Sequence, residues 1–228
     1  MGQNNPTVHL DIAAFEIARV EFPKLEVAPL LDILDSHASE LGDITSSCEN
    51  GEERVLLANE YLFEELGFKG NEVDYYSPLN SCLNEVLTSR VGIPVTLSVV
   101  YLEIARRLGW PVQGISMPGH CIVQYDDGEF NCFVDPYHGG RIMDLDDCRR
   151  LAFQIAQVDI KEQPDVMDPA TTWQLALRML HNLRSIYARR KEYGKLARVL
   201  DWILIAVPDS RPDRELREQI RQYMRLLN

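Results

Sequence analysis

The apolar residues in the first part of the chain recur at intervals of three and four, the spacing of one face of an α-helix. Four helices are predicted before residue 92, each ended by a proline, a glycine or a capping residue. Their expected limits are a stripe from Leu10 to Ala18 closed by Pro23, then Pro29 to Gly42, Val55 to Gly67, and Ser77 to Arg90. Residues 68–77 are expected to form an irregular loop.

A central helix is predicted from Pro94 to the residue before Gly109. Proline is preorganised for the first helical position, and glycine is favoured just past the last one. Arg106 and Arg107 fall in the final turn, where the helix dipole favours cations. One face is apolar throughout and is therefore expected to be buried: Leu97, Val100, Tyr101, Ile104, Ala105 and Leu108.

A β-hairpin is predicted after the central helix, around Asp127-Gly128, which is typical of a two-residue turn. If Asp126 pairs with Glu129, counting outward places His120 directly opposite Asp135 on the same face. A histidine beside a carboxylate is the base and orienting group of a nucleophilic triad. The other face is expected to be core: Cys121, Val123, Tyr125, Phe130, Cys132 and Val134.

From residue 169 onward the chain is predicted to be entirely helical. The preceding segment, QVDIKEQPDVMDP, combines two prolines with acidic residues and no periodicity, so the domain boundary is placed there. The two predicted parts are residues 1–160 and a C-terminal tail, residues 168–228. The stretch HNLRSIYARRKEYGKLARVLDWILIAVPD resembles one tetratricopeptide helical hairpin. One repeat cannot bury its apolar face alone, so the tail is expected to pack on the main domain.

Four segments together resemble a known family: NSCLNEVL, GIPVTLSVVYLEIARRLG, PGHCIVQY and FVDPYHGG. They are similar to the transglutaminase-like superfamily, and more closely to its bacterial SirB-type branch. The resemblance implies an α+β fold with a papain/transglutaminase-like core, in which a helical N-terminal segment precedes a central helix packed on a small antiparallel sheet. It further implies a tetratricopeptide-like helical tail and a Cys-His-Asp triad. His120 and Asp135 match two of the triad positions.

The expected nucleophilic cysteine, which the resemblance places at the amino end of the central helix, is missing. Positions 94–96 are Pro94, Val95 and Thr96. Thr96 and Ser98 are candidate hydroxyl nucleophiles, although hydroxyl residues also favour the first helical turn for hydrogen bonding alone. Cys82 lies on the apolar stripe of the preceding helix, where a free cysteine usually behaves as a small hydrophobic residue.

Other candidate pocket residues flank this region. Asn80, Cys82, Asn84 and Glu85 are candidates because the resemblance places the segment LNEVL beside the pocket. Asn84 and Glu85 either orient a histidine or ligand or belong to the surface of an amphipathic helix. Tyr137 and His138 follow Asp135 in a loop with paired glycines. No metal site and no cofactor are expected, since spacing supplies no further ligands for His120, Asp135 and His138.

The composition of the chain limits the classes of partner and the cellular location that are expected. The 228 residues carry a net charge of −12, which argues against nucleic acid or an anionic membrane as the principal partner. The five cysteines form neither a CxxC pair nor an even disulfide framework, as expected for reduced thiols in the cytoplasm. The start of the chain has no basic segment followed by a long apolar run, so no export signal and no membrane span are expected.

Two functions remain open at this point. One is a non-catalytic or regulatory protein that binds a protein or peptide in a degenerate active-site groove, as the missing cysteine indicates. The other is an amide-bond hydrolase or acyltransferase, with His120 as base, Asp135 as its orienting group, and Thr96, Ser98 or a relocated cysteine as nucleophile. The sequence leaves the oligomeric state open.

Overall fold

A computed structural model describes residues 9–226 of the chain. The helices before the sheet are α1 (Leu10–Ala18), α2 (Ala28–Ile44), α3 (Gly51–Asn59) and α4 (Leu83–Ser89). Helix α2 runs two residues past Gly42, and α3 continues as a π-helical turn, Glu60–Glu65, before Gly67 adopts a positive φ of 74°. The start of the chain, on which the expectation of no export signal rests, lies outside the described residues.

The fourth predicted helix is interrupted, so the prediction of one continuous helix was wrong. A 3-10 turn, Pro78–Ser81, is followed by Cys82 in an extended conformation, and only then does α4 begin. The carbonyl of Asn80 accepts a hydrogen bond from Thr96 Oγ1 at 2.7 Å, which removes it from the helical pattern. Leu79 consequently points outward and is 38% exposed, whereas Cys82 is fully buried.

The central helix α5 (Pro94–Arg107) has the predicted limits. Gly109 follows with a φ of +68°, as expected after a helix end. More of α5 is buried than the one predicted face, because Val95, Val99 and Glu103, which lie on other faces of the helix, are buried as well. Two helices account for part of this: α2 packs along α5, and α1 binds it through ion pairs from Asp11 to Arg106 and Arg107.

Four antiparallel strands form the main sheet, in the order β3 (Val112–Ile115), β4 (Ile122–Asp126), β5 (Asn131–Asp135) and β6 (Arg141–Met143). One face, with Val123 and Val134, belongs to the large core that contains α5. The other face, with Ile122 and Phe133, packs into a smaller core beneath α6 (Leu145–Ala156). A short parallel pair, β1 (Lys69–Gly70) and β2 (Val91–Gly92), lies apart from this sheet.

The hairpin between β4 and β5 has a longer loop than predicted, so the predicted register was wrong. Asp126 pairs with Asn131 and Val123 with Val134, which leaves four residues, 127–130, in the loop. The Asp127 carboxylate accepts from the N–H groups of Glu129 and Phe130 at 3.0 and 2.8 Å, and this stabilises the longer loop. The shift is two residues along one strand, so the side chains keep their predicted faces.

The tail consists of α7 (Thr172–Arg190), α8 (Tyr193–Ala206) and α9 (Arg211–Leu226). It packs on the preceding part of the chain, because α7 contacts α1 and α5 and shares the large core with them. The predicted inward residues are buried: Leu175, Leu180, Leu183, Tyr187, Leu196, Ala197, Leu200 and Ile203. Within residues 9–226, none of the helices combines the length and apolar character needed to cross a membrane.

Candidate functional site

The predicted contact between His120 and Asp135 is present. His120 ends a turn closed by its own N–H, which donates to the Met117 carbonyl at 3.2 Å, and Gly119 in this turn has a φ of +75°. Asp135 is the last residue of β5. Nε2 of His120 lies 2.9 Å from Oδ2 of Asp135, with the side chains 3% and 1% exposed. The pair is therefore sealed from solvent, and water cannot replace a lost partner as it would in an open groove.

Asp135 binds a second imidazole as well. Its Oδ2 lies 2.7 Å from Nδ1 of His138, while Oδ1 accepts the N–H groups of Tyr137 and His138. Burial raises the pKa of Asp135, but the hydrogen bonds and charges of His120 and then His138 outweigh it and lower that pKa overall. Because an ionised carboxylate only accepts, both imidazole nitrogens that face it carry the proton when no other cation is bound.

His138 links the buried pair to the surface. Its side chain is 45% exposed, and its ring stacks on that of His120 with centroids 5.6 Å apart. Position 138 is held by the 3-10 turn Pro136–His138, which Asp135 caps with its carboxylate. The three side chains that the sequence offered as metal ligands lie together in the fold. His120, Asp135 and His138 each offer a ligand atom, and these atoms lie within 4.8 Å of one another.

Tyr137 forms the next layer of the site. Its ring meets that of His120 edge-on at a centroid distance of 6.0 Å, and its hydroxyl donates to the Asn71 carbonyl at 3.2 Å. Gly70 permits this position, because a Cβ at residue 70 would lie 2.6 Å from the Tyr137 ring. Tyr75 packs edge-on against the Tyr137 ring, with the ring centroids 6.2 Å apart.

Asn80 orders the loop that carries Tyr75 and is not a hydrogen-bond partner of His120. Its side-chain nitrogen donates to the carbonyls of Asp74 and Tyr75 at 2.7 and 3.1 Å. Its side-chain oxygen accepts from Asn71 at 2.9 Å. These bonds hold the loop segment of residues 71–75 in place.

The two candidate hydroxyl nucleophiles are buried and bound to the backbone. Thr96 Oγ1 lies 2.7 Å from the Asn80 carbonyl and 3.1 Å from both the N–H and the carbonyl of Ile93. Ser98 Oγ lies 3.3 Å from the Cys121 carbonyl. Both residues are 0% exposed. The structure thus gives both hydroxyls the capping and packing roles that hydroxyl residues have in a first helical turn.

The five cysteines share one electrostatic feature, a thiol pKa shifted upward. Burial raises the pKa of Cys82 to about 12 and that of Cys132 to about 11, and it also raises the pKa of each of the other three. An activated thiol needs the opposite shift, towards the thiolate. The charges of Glu21, Glu85 and Lys195 act on the Cys82 thiol. Cys82 therefore lies on the side of the molecule formed by α1 and α8.

Asn84 and Glu85 lie in α4 with Cys82 at its amino end. Asn84 is 8% exposed, and its carbonyl accepts from Thr88 in an ordinary helical contact. The N–H of Glu85 binds the Cys82 carbonyl. The described contacts of these two residues are with their own helix, so the structure does not join them to the His120–Asp135 pair.

One contributor to the site, Arg178 of α7, was not predicted. Its Nη1 donates to the carbonyl of Met117 at 2.6 Å and to Ser116 Oγ at 2.9 Å, and the same Met117 carbonyl accepts from the N–H of His120. The spacing of 61 residues gives no local sequence signal for this contact. Arg178 also lines a cleft of about 500 Å³, here called the α7 cleft, whose polar lining is Ser116, Asp165, Asp168, Gln174, Arg178 and His181.

Comparison with known proteins places this site in a family. A sequence model of the transglutaminase-like superfamily matches residues 29–181, which contain the central helix, the sheet and the His120–Asp135 pair. The chain belongs to this superfamily. The matched segment ends inside α7, so the first half of that helix lies within the family match.

Several relatives are similar to the chain. A UPF0162 protein of Xylella fastidiosa (strain Temecula1) is 33% identical over 226 residues, covering 98% of this chain and 80% of the relative. The UPF0162 protein of Vibrio cholerae is 27% identical over 150 residues, covering 65% of this chain and 55% of the relative. F-box only protein 21 of mouse is 31% identical over 169 residues, which cover 69% of this chain but 26% of that longer protein. No solved structure matches the chain.

Proposed function

We propose that this chain is a binding module of the transglutaminase-like superfamily that holds a basic peptide or protein segment without forming a covalent intermediate. The observation that carries the proposal is the state of every candidate nucleophile. Thr96 and Ser98 are fully buried with their hydroxyls bound to carbonyl groups, and burial raises the pKa of Cys82. A chain that keeps a base and its orienting group but shows no activated nucleophile is suited to binding rather than to covalent catalysis.

The α7 cleft is the proposed binding surface. It adjoins the turn before His120, because Arg178 lines the cleft and hydrogen-bonds the Met117 carbonyl of that turn. Its volume of about 500 Å³ lies within the usual range of ligand pockets, about 300–1,000 Å³. One wall is α7, the first helix of the tetratricopeptide-like tail that we propose, so the tail has a direct part in binding.

Charge favours a basic occupant. The carboxylates of Asp165 and Asp168 line the cleft, and both residues are exposed. Arg178 adds a positive charge, but its guanidinium is already engaged by the Met117 carbonyl and Ser116. The whole chain carries a net charge of −12, which attracts basic segments and accelerates their association. Reduced cytoplasm is the proposed location, a proposal supported by five free cysteines.

Binding to arrayed short peptides of graded net charge tests the proposal, with affinities of the retained peptides measured in solution. Basic peptides should bind, and the double variant Asp165→Asn with Asp168→Asn should weaken them by about tenfold or more, the effect of about 1.4 kcal/mol. The matched control is Asp32→Asn with Asp43→Asn, which makes the same change in net charge on the exposed surface of α2. Equal weakening by both pairs would reduce the effect to net charge and remove the cleft from the proposal.

The retained His120–Asp135 pair favours a second candidate, amide-bond hydrolysis or acyl transfer. Reaction of the folded protein with a thiol-directed electrophile, followed by mass spectrometry, separates the two. A binding module should show no cysteine that reacts faster than a simple thiol, because burial raises all five pKa values. Selective labelling of one cysteine that disappears in His120→Ala would establish the enzyme instead.

A further inference from the structure

A cluster of three ligand-bearing side chains lies where β5 ends. His120 Nε2 is 2.9 Å and His138 Nδ1 is 2.7 Å from the same oxygen of Asp135, and all three ligand atoms lie within 4.8 Å of one another. We propose that His120, Asp135 and His138 bind one divalent transition-metal ion of the zinc type. The proposal is independent of peptide binding in the α7 cleft.

The donor set suits this class of ion. Two imidazoles and one carboxylate are ligands that Zn²⁺ and similar dications accept, whereas Ca²⁺ and Mg²⁺ prefer sets made of oxygen atoms. Three protein ligands leave one position of a tetrahedral ion for water or another small molecule. The carboxylate also supplies one negative charge to offset the ion.

The two imidazoles must shift to admit the ion. Their facing nitrogens, which lie within 4.8 Å of each other, would approach to about 3.3 Å. Bonds of about 2.0–2.2 Å in a tetrahedral arrangement separate the ligand atoms by about 3.3 Å. The present nitrogen-to-oxygen distances of 2.9 and 2.7 Å would therefore each open by about half an ångström. His138 can make this movement more readily than the buried His120, since its side chain is 45% exposed in a short 3-10 turn.

The surroundings keep the ligands oriented. Oδ1 of Asp135 is occupied by the N–H groups of Tyr137 and His138, so Oδ2 is the oxygen left for the ion. Supporting hydrogen bonds of this kind orient the ligands of protein metal sites. On binding, the ring nitrogen of each imidazole that faces the ion must be free of its proton, so that its lone pair can bind the ion.

Titration of the full-length, tag-free chain with Zn²⁺ alone, after dialysis against a chelator and then buffer, tests the site by calorimetry. One ion per chain should bind and raise the melting temperature. His138→Gln should weaken binding by about tenfold or more, since changes to outer-shell partners alone cost about 10–100-fold. The control is His9→Gln, which removes an exposed histidine at the amino end of α1 and should leave binding unchanged. His138 is half-exposed, so its variant is expected to remain folded.

Co²⁺ absorption identifies the ligands. The wild-type chain should give the visible bands of a four- or five-coordinate ion without a thiolate charge-transfer band, and His138→Cys should gain that band. Each of three results would overturn the proposal. They are stoichiometric Zn²⁺ binding that survives in His138→Gln, a thiolate band in the wild-type protein, and no binding at all by the folded chain. In the last case the two imidazoles serve only as hydrogen-bond donors to Asp135.

Discussion

Removing the two imidazoles from Asp135 one at a time and then together should destabilise the protein more than additively. His120→Ala removes a charge-assisted hydrogen bond worth about 1.5–3 kcal/mol, but Asp135 keeps His138 and two backbone N–H donors. His138→Ala should cost about 0.5–1.5 kcal/mol, because this side chain is half-exposed. The double variant leaves a carboxylate that is 1% exposed without a side-chain partner, so its cost should exceed the sum of the two single costs.

Urea and thermal unfolding in the presence of a chelator measure these costs without interference from bound metal. For a chain of this size each kcal/mol shifts the melting temperature by about 2–4 °C. His120→Ala should therefore melt about 3–12 °C below the wild-type protein. The coupling between the two substitutions should be about 0.5–3 kcal/mol, the range for residues in one network.

Asp135→Asn supplies the control, because a neutral amide has no charge to leave unpaired. In that background the two histidine substitutions should be additive within about 0.5 kcal/mol. Additivity in the background of Asp135 itself would refute the reasoning, since it would mean that the backbone N–H groups satisfy the carboxylate unaided. Leu97→Ala serves as the reference for truncating a buried apolar side chain, which should lower the free energy of unfolding by about 2–5 kcal/mol.

Two further outcomes are expected. Gly140→Ala should destabilise the protein more than Gly139→Ala in urea unfolding: both residues have a positive φ, which costs alanine about 1–2 kcal/mol, but only a Cβ at 140 would meet the Phe63 ring, at 2.3 Å. Burial, and then the charge of Arg90, lowers the pKa of His37 below its ordinary value of 6.5, so the folded state favours the neutral imidazole. The resulting stability is complete above pH 6.5 and is lost as the pH falls through the lower folded pKa; His37→Gln should flatten this dependence, as unfolding across a pH series would show.

Local signals predicted those parts of the fold that depend on neighbouring residues. Pro94 and Gly109 set the ends of α5 because φ restrictions act within one or two residues. The alternation in the hairpin predicted which side chains are core. The register was missed because Asp127 turns its carboxylate back onto two N–H groups, and sequence does not show which of several turn types an Asp-Gly pair will adopt.

The site was predicted only in part, for a physical reason. The contact between His120 and Asp135 is present although the counted register is wrong, because a shift of two residues keeps each side chain on its predicted face. His138 was only a candidate pocket residue, and its contact with Asp135 depends on the 3-10 turn after β5, for which no strong local signal exists. Arg178 reaches Met117 from a helix 61 residues away, a contact that only the packing of α7 creates.

The contact between the end of α1 and the C-terminal helices affects how the protein folds during synthesis. Glu21, just after α1, hydrogen-bonds Tyr187 at 2.7 Å and Lys195 at 2.8 Å, partners that lie 166 and 174 residues further along the chain. Helix α1 therefore lacks these partners until α7 and α8 have been synthesised. Long-range contacts of this kind slow folding, because the intervening chain must be ordered first. Until the tail emerges, the nascent chain exposes apolar surface that chaperones or proteases can recognise.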